Sequence, residues 1–254
     1  MSQDNFYIVL ASNLKTKDFP NNRPSHFITP LAKPLELDKQ RWSCAITEIT
    51  FPQNWYNVNN GENWIKVITD LRTKPLHEET GEFPYGYYPH PTKLLIQEMQ
   101  KSLDKFNSRV ADFVYNNSQD SVEIHVKRGK KITLSSSLAK KLGFLQKNVF
   151  DVGIHKADNP VDCNINTNYF WVYSNVVSES LVGSTFVKLL RIIPSEDIFN
   201  NGTYRTIEFF RPQYKPIASS FENNIEIRIT TDEAEDFGFN GGKVIITLHF
   251  KKDA

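Results

Sequence analysis

The side chains able to do acid–base, nucleophilic or metal chemistry are few and scattered. The six histidines stand at His26, His77, His90, His125, His155 and His249, with no pair at a metal-ligand spacing. His77-Glu78-Glu79 lacks a second histidine four residues on, so it is not the zinc-protease helix and reads as a solvated loop. The two-histidine, one-carboxylate set of an iron oxygenase would have to be gathered from distant parts of the chain. Two cysteines, Cys44 and Cys163, exclude a disulfide framework and a four-cysteine zinc site and fit a reducing compartment. Cys44 lies on the alternating face of a strand and reads as a small core residue rather than a nucleophile.

The glycines point the same way. Gly238, Gly241 and Gly242 precede a strand pattern instead of a helix, so they predict a hairpin turn and not a phosphate loop. Gly183-Ser184 lacks the flanks of a nucleophile elbow. The run Lys127-Arg128-Gly129-Lys130-Lys131 is the strongest local charge cluster; it reads as a solvated hairpin tip, with an anionic contact as the sharper alternative. Trp55, Tyr56, Tyr85, Tyr87 and Tyr88 sit among Asn, Pro and Gly and either anchor a partner or a sugar or pad the end of a sandwich. No residue is assigned a catalytic, cofactor-binding or metal-binding role. The expectation is a binding or assembly protein without a cofactor rather than an enzyme.

Composition narrows the classes further. The chain has 254 residues, with 30 Lys+Arg against 29 Asp+Glu and a formal charge of +1. A dedicated nucleic-acid binder would carry a basic excess. The opening residues have no basic region before an apolar core, so no signal peptide is expected. No apolar run approaches the length of a membrane span. Asn116-Asn117-Ser118 and Asn201-Gly202-Thr203 are then chance matches to a glycosylation pattern, which needs secretion.

The elements that must position these residues are mostly strands. Period-two alternation runs through Phe6/Ile8/Leu10, Val122/Ile124/Val126, Ile132/Leu134, Tyr169/Trp171/Tyr173, Ile225/Ile227/Ile229 and Val244/Ile246/Leu248/Phe250. Around Trp42/Cys44/Ile46 the other parity, Ala45, Ile49 and Phe51, is also apolar, which predicts cover on both faces. Leu95, Met99, Leu103 and Phe106 fall at helical spacing within 91–107, with His90 or Thr92 as cap and Pro91 in the first turn. A shorter helix reads from Ser136 to Leu142, closed by Gly143 in a left-handed position. Gln146 to Asn168 reads as a long loop. The order is not alternating strand–helix, so the fold class is mainly β, an antiparallel sandwich with an inserted helical segment.

Four ordered sets of phrases go beyond pattern. The first is Ser12-Asn13, Phe19-Pro20-Asn21-Asn22, Pro34-Leu35-Glu36-Leu37, Glu48-Ile49-Thr50-Phe51-Pro52 and Trp55-Tyr56-Asn57. The second is Leu134-Ser135, Leu138-Ala139 and Leu142-Gly143-Phe144. The third is Val172-Tyr173-Ser174-Asn175-Val176-Val177, Val182-Gly183 and Leu189-Leu190-Arg191-Ile192-Ile193-Pro194. The last is Tyr214-Lys215-Pro216-Ile217, Ile225-Glu226-Ile227, Gly242-Lys243-Val244 and Leu248-His249-Phe250-Lys251. In this order, from about Phe6 to Lys251, they resemble the minor capsid (penton) proteins of Polinton/Maverick elements and adintoviruses. The chain departs from that family near Ser174-Asn175 and at Ser184, where the family often carries an acidic residue, and in a longer, more acidic stretch from Thr231 to Gly242.

The resemblance implies one single jelly-roll domain over 1–254 with a helix-containing insertion at about 86–145. It implies a structural subunit that forms homopentamers at the fivefold vertices of an icosahedral shell, beside a double jelly-roll major capsid protein, in a virion assembled inside the host cell. The other reading, carried by Trp55, Tyr85, Tyr87 and Tyr88, is a carbohydrate- or receptor-binding β-sandwich module.

Overall fold

The computed structural model describes residues 4–14, 17–69, 77–89, 93–106, 109–165, 167–195 and 203–253. The expected cap at His90 or Thr92, the first-turn Pro91, the helix end at Asn107 and the pattern at Asn201-Gly202 lie outside the described residues. In chain order the strands begin with β1 (Asn5–Ala11), β2 (His26–Glu36), β3 (Trp42–Pro52), β4 (Trp64–Thr69) and β5 (His77–Glu82). Next come α1 (Lys93–Asp104), β6 (Ala111–Asn116), β7 (Ser121–Val126), β8 (Lys130–Leu134), α2 (Ser136–Lys141), β9 (Val149–Phe150) and β10 (Gly153–Lys156). The chain closes with β11 (Tyr169–Ser174), β12 (Ser180–Val182), β13 (Thr185–Val187), β14 (Leu189–Pro194), β15 (Tyr204–Glu208), β16 (Lys215–Pro216), β17 (Phe221–Thr230) and β18 (Ile245–Lys252). Two compact units result, one made of Met1–Trp55 with Asn166–Ala254 and one of Tyr56–Ile165.

The first unit holds two antiparallel sheets, ordered β1-β18-β3-β15 and β14-β11-β17-β2, with β16 also on β3. Numbered along the chain, the eight long strands stand first-eighth-third-sixth in one sheet and second-seventh-fourth-fifth in the other. Every link except that from β11 to β14 crosses between sheets. This is the double Greek key of a jelly roll. The core lies between the sheets. Leu10, Ile46, Ile49, Phe51, Ile246, Leu248 and Phe250 meet Phe27, Phe170, Val172, Ile225, Ile227 and Ile229, all at most 1% exposed. Each such side chain contributes about 1.5–3 kcal/mol by leaving water.

Cover on both faces of β3 is not what makes its two parities apolar. Thr247 pairs with Glu48 and Leu248 with Ile46, so Thr47 is an extra residue. That bulge switches the alternation, and Cys44, Ile46, Ile49 and Phe51 all enter one core. On the other side Ala45 is buried opposite His249, and Ser43 and Pro52 at the strand's two ends are buried as well.

The second unit has the sheets β5-β4-β8-β9 and β10-β7-β6, with α1 burying Leu95, Ile96, Met99 and Leu103 in their shared core. Where the sequence reading set the helix-containing insertion at about 86–145, this compact unit runs over Tyr56–Ile165. The stretch read as a long loop after Gln146 carries β9 and β10, which pair with β8 and β7. Strands of two and four residues are too short to show alternation.

Ser135 caps α2, its hydroxyl accepting from the Leu138 amide at 3.2 Å. Gly143, at φ +89°, ends it in a Schellman motif, with Phe144 N–H donating to the Ala139 carbonyl and Gly143 N–H to that of Lys140, each at 2.9 Å. A Cβ at Gly143 would sit 2.1 Å from the Asn159 carbonyl oxygen. Gly143→Ala should therefore destabilise the chain by about 2 kcal/mol or more, the backbone share being about 1–2 kcal/mol. Urea denaturation measures this.

Candidate functional site

Both cysteines are buried, and burial pushes the Cys44 thiol far above its ordinary range, which leaves it inert. The histidines are dispersed among local partners. His26 meets Glu226 at 2.7 Å, His125 meets Glu123 at 2.9 Å, and His155 Nε2 lies 2.7 Å from the Asp151 carbonyl. His77 pairs with Glu79 on an exposed strand rather than in the expected loop. His90 is outside the described residues. Among the described residues, no three His, Cys, Asp or Glu side chains converge on a point that could hold a metal.

The basic run is not a hairpin tip. β7 and β8 belong to different sheets, so Lys127–Lys130 is a corner between them, closed by the Lys130 amide on the Lys127 carbonyl at 3.1 Å with Gly129 at φ +76°. Lys127 pairs with Asp112, which Arg109 also meets at 2.7 Å, and Lys131 pairs with Asp151 at 3.2 Å. The Lys127 hydrogen bond, with the Arg109 contact behind it, holds the Asp112 carboxyl below its ordinary range against burial, which pushes the other way. Arg128 is exposed, and neither it nor Lys130 has an ion pair among the described residues.

Phe237–Gly242 is not a hairpin either. It joins β17 to β18, which lie in opposite sheets, and so it arches over the end of the sandwich. Gly242 is required there by φ +82° and by the Pro52 ring, which an added Cβ would approach to 2.9 Å. Gly183-Ser184 forms the two-residue turn of the β12–β13 hairpin, whose opposed Leu181 and Phe186 are 62% and 67% exposed.

Of the loop aromatics, Trp55 and Tyr88 are buried. Trp55 packs edge-on against Phe170 and Phe237, both at 5.6 Å, and pads the sandwich end. Tyr85 is half exposed against the Tyr56 ring at 5.8 Å.

Sequence reading missed the outer face of the β1-β18-β3-β15 sheet. The alternation that sends Leu10 and Leu248 inward turns Tyr7, Val9, Thr247 and His249 outward. Tyr7 stacks on the His249 ring at 4.3 Å, and the Tyr214 hydroxyl bonds His249 Nδ1 at 2.6 Å. Burial pushes the His249 imidazole down and the nearby Lys251 acts the same way, while burial pushes the Tyr214 phenol up. Both are neutral at pH 7, so a single uncharged hydrogen bond joins the phenol to the imidazole.

Beyond Glu208 the chain leaves the edge of β3. The Phe209 amide still donates to the Thr47 carbonyl at 2.8 Å, and its ring lies 3.7 Å under the Arg191 guanidinium. Pairing resumes only at β16, after Pro212, which has no N–H to donate. In the gap Phe210 is 94% exposed. It borders an open groove of about 280 Å³ with Tyr7, Glu48 and Glu208. The one signal in the sequence is the Phe-Phe-Arg-Pro break after a strand.

No family model matches the chain, and no curated protein matches it. Among solved structures it is similar to the mavirus penton protein, with a TM-score of 0.49 and 12% identity over 98% of this chain and 100% of that one. The jelly-roll assignment rests on the strand order within the first unit.

Proposed function

We propose that this chain is a structural minor capsid protein, a penton whose five copies form a ring at each fivefold vertex of an icosahedral shell. The observation that carries the reading is the set of ordered phrases, which fall on the framework of the fold. Glu48–Pro52 ends β3, Leu189–Pro194 is β14, Ile225–Ile227 lies in β17 and Leu248–Lys251 in β18. Leu142-Gly143-Phe144 is the Schellman motif after α2. A ring joins one patch of a subunit to a different patch of the next. Rigid paired strands with exposed loops and outer faces suit that task, and a formal charge of +1 limits repulsion between copies.

The partners on this reading are further copies of the chain and a double jelly-roll major capsid protein, in a virion assembled inside the host cell. No nucleic-acid contact is invoked. No helix among the described residues is long and apolar enough to cross a membrane.

Co-expression with the major capsid protein of the same source tests this. Electron microscopy should show shells whose vertices hold a fivefold ring into which the first unit fits. Vertices that form without the chain, or hold density its fold cannot occupy, overturn the reading.

A further inference from the structure

Glu48 on β3 and Glu208 on β15 face each other directly across an antiparallel pair. Among the described residues neither has an ion-pair partner. Like charges placed so destabilise a sheet. The Phe210 ring stands beside them almost wholly in water, and Tyr7, 60% exposed, borders the same groove. Aromatic rings next to unneutralised carboxylates fit a cationic side chain, which takes a charge-assisted bond from the acids and a cation–π contact from the rings.

The chain carries the complement. Arg128 and Lys130 lack ion pairs among the described residues, while their neighbours Lys127 and Lys131 are held by Asp112 and Asp151. Other cations are also without an ion pair, but 127–131 is the densest run of positive charge in the sequence, and Arg128 and Lys130 are the two of its members left without a carboxylate.

We infer that the groove at Glu48, Glu208 and Phe210 receives the Arg128–Lys130 turn of a second copy. The inference rests on the ring reading and deepens it. The contact is heterologous, as ring closure requires. It supplies register and orientation, since charge pairs at an interface favour the one alignment that neutralises them. Raised salt weakens it.

The test is self-association of the full chain, read by sedimentation velocity, for wild type and charge variants. The double variants Glu48→Arg/Glu208→Arg and Arg128→Glu/Lys130→Glu should each weaken association about thirtyfold or more, the loss expected when one side of a buried charge pair is removed. Combining all four changes in one chain should restore it. Glu208→Gln keeps the proposal separable from a folding defect. It relieves the repulsion, so its thermal midpoint should hold or rise while association falls.

Wild-type rings that survive every charge variant unchanged overturn this contact and leave the ring reading standing. Association lost in the variants but not regained in the fourfold swap also overturns it. A wild-type chain that does not self-associate overturns it as well, and vertex occupancy in co-assembled shells then decides the penton reading separately.

Discussion

Replacing Trp55 with alanine should lower stability by about 3–5 kcal/mol, the cost of removing a large aromatic from a packed core. The ring is 3% exposed and touches Phe51, Phe170, Phe237 and Phe239 at centroid distances of 6.4, 5.6, 5.6 and 6.5 Å. Those four come from β3, from β11 and from the arch before β18, so the indole ties the sheets together at one end of the sandwich. The surrounding rings belong to a rigid framework and collapse poorly into the space left behind. Urea denaturation of the purified variant measures the loss. A cost under about 1 kcal/mol would mean that the indole is a surface group after all. On the structure described, the variant tests the sandwich and not sugar recognition.

Lys141→Met should cost about 2–3 kcal/mol at neutral pH. The Lys141 side chain is 4% exposed and its ammonium lies 2.6 Å from a Glu62 carboxylate oxygen. Breaking a buried pair costs about 3–5 kcal/mol, and the lower figure reflects the 25% exposure of Glu62. Burial alone would push the Glu62 carboxyl up. The Lys141 hydrogen bond and charge, helped by the Asn59 amide and Ser137, outweigh it and hold the group below its ordinary 4.5.

The sign of the pH dependence follows. A depressed carboxylate pKa contributes stability above the unfolded value and loses it as pH falls through the folded one. Wild type should therefore lose this contribution on acidification below about pH 4.5. In Lys141→Met the half-buried carboxyl protonates readily and acid relieves it. The gap between the two proteins, read from thermal midpoints at pH 7 and near pH 3.5, should narrow. A gap that does not change with pH would show that the pair contributes packing alone.

Alternation was enough to find β1, β7, β8, β17 and β18, because a strand half in water prints its two faces directly into the sequence. The helical spacing of Leu95, Met99 and Leu103 and the glycine after α2 were as legible, since both are local. Local signals failed where pairing partners are remote. Val126 and Ile132 flank a basic turn that looks like a hairpin, yet their strands enter separate sheets. The same is true of Phe237–Gly242. Turn residues state that the chain bends and say nothing of which edge it next joins. Thr47 carries no mark of being a bulge, because the extra residue exists only relative to β18.

Two kinds of information thus separate. The sequence by itself determined the strand-rich class, the two helices, the scatter of reactive side chains and the burial of Cys44, all of which follow from composition and short-range periodicity. Only the tertiary structure decided that Trp55 lies inside, that Glu48 and Glu208 meet, and that Phe210 is left in water. Those outcomes depend on residues more than a hundred positions apart, and long-range strand pairing places them by burying the core as a whole.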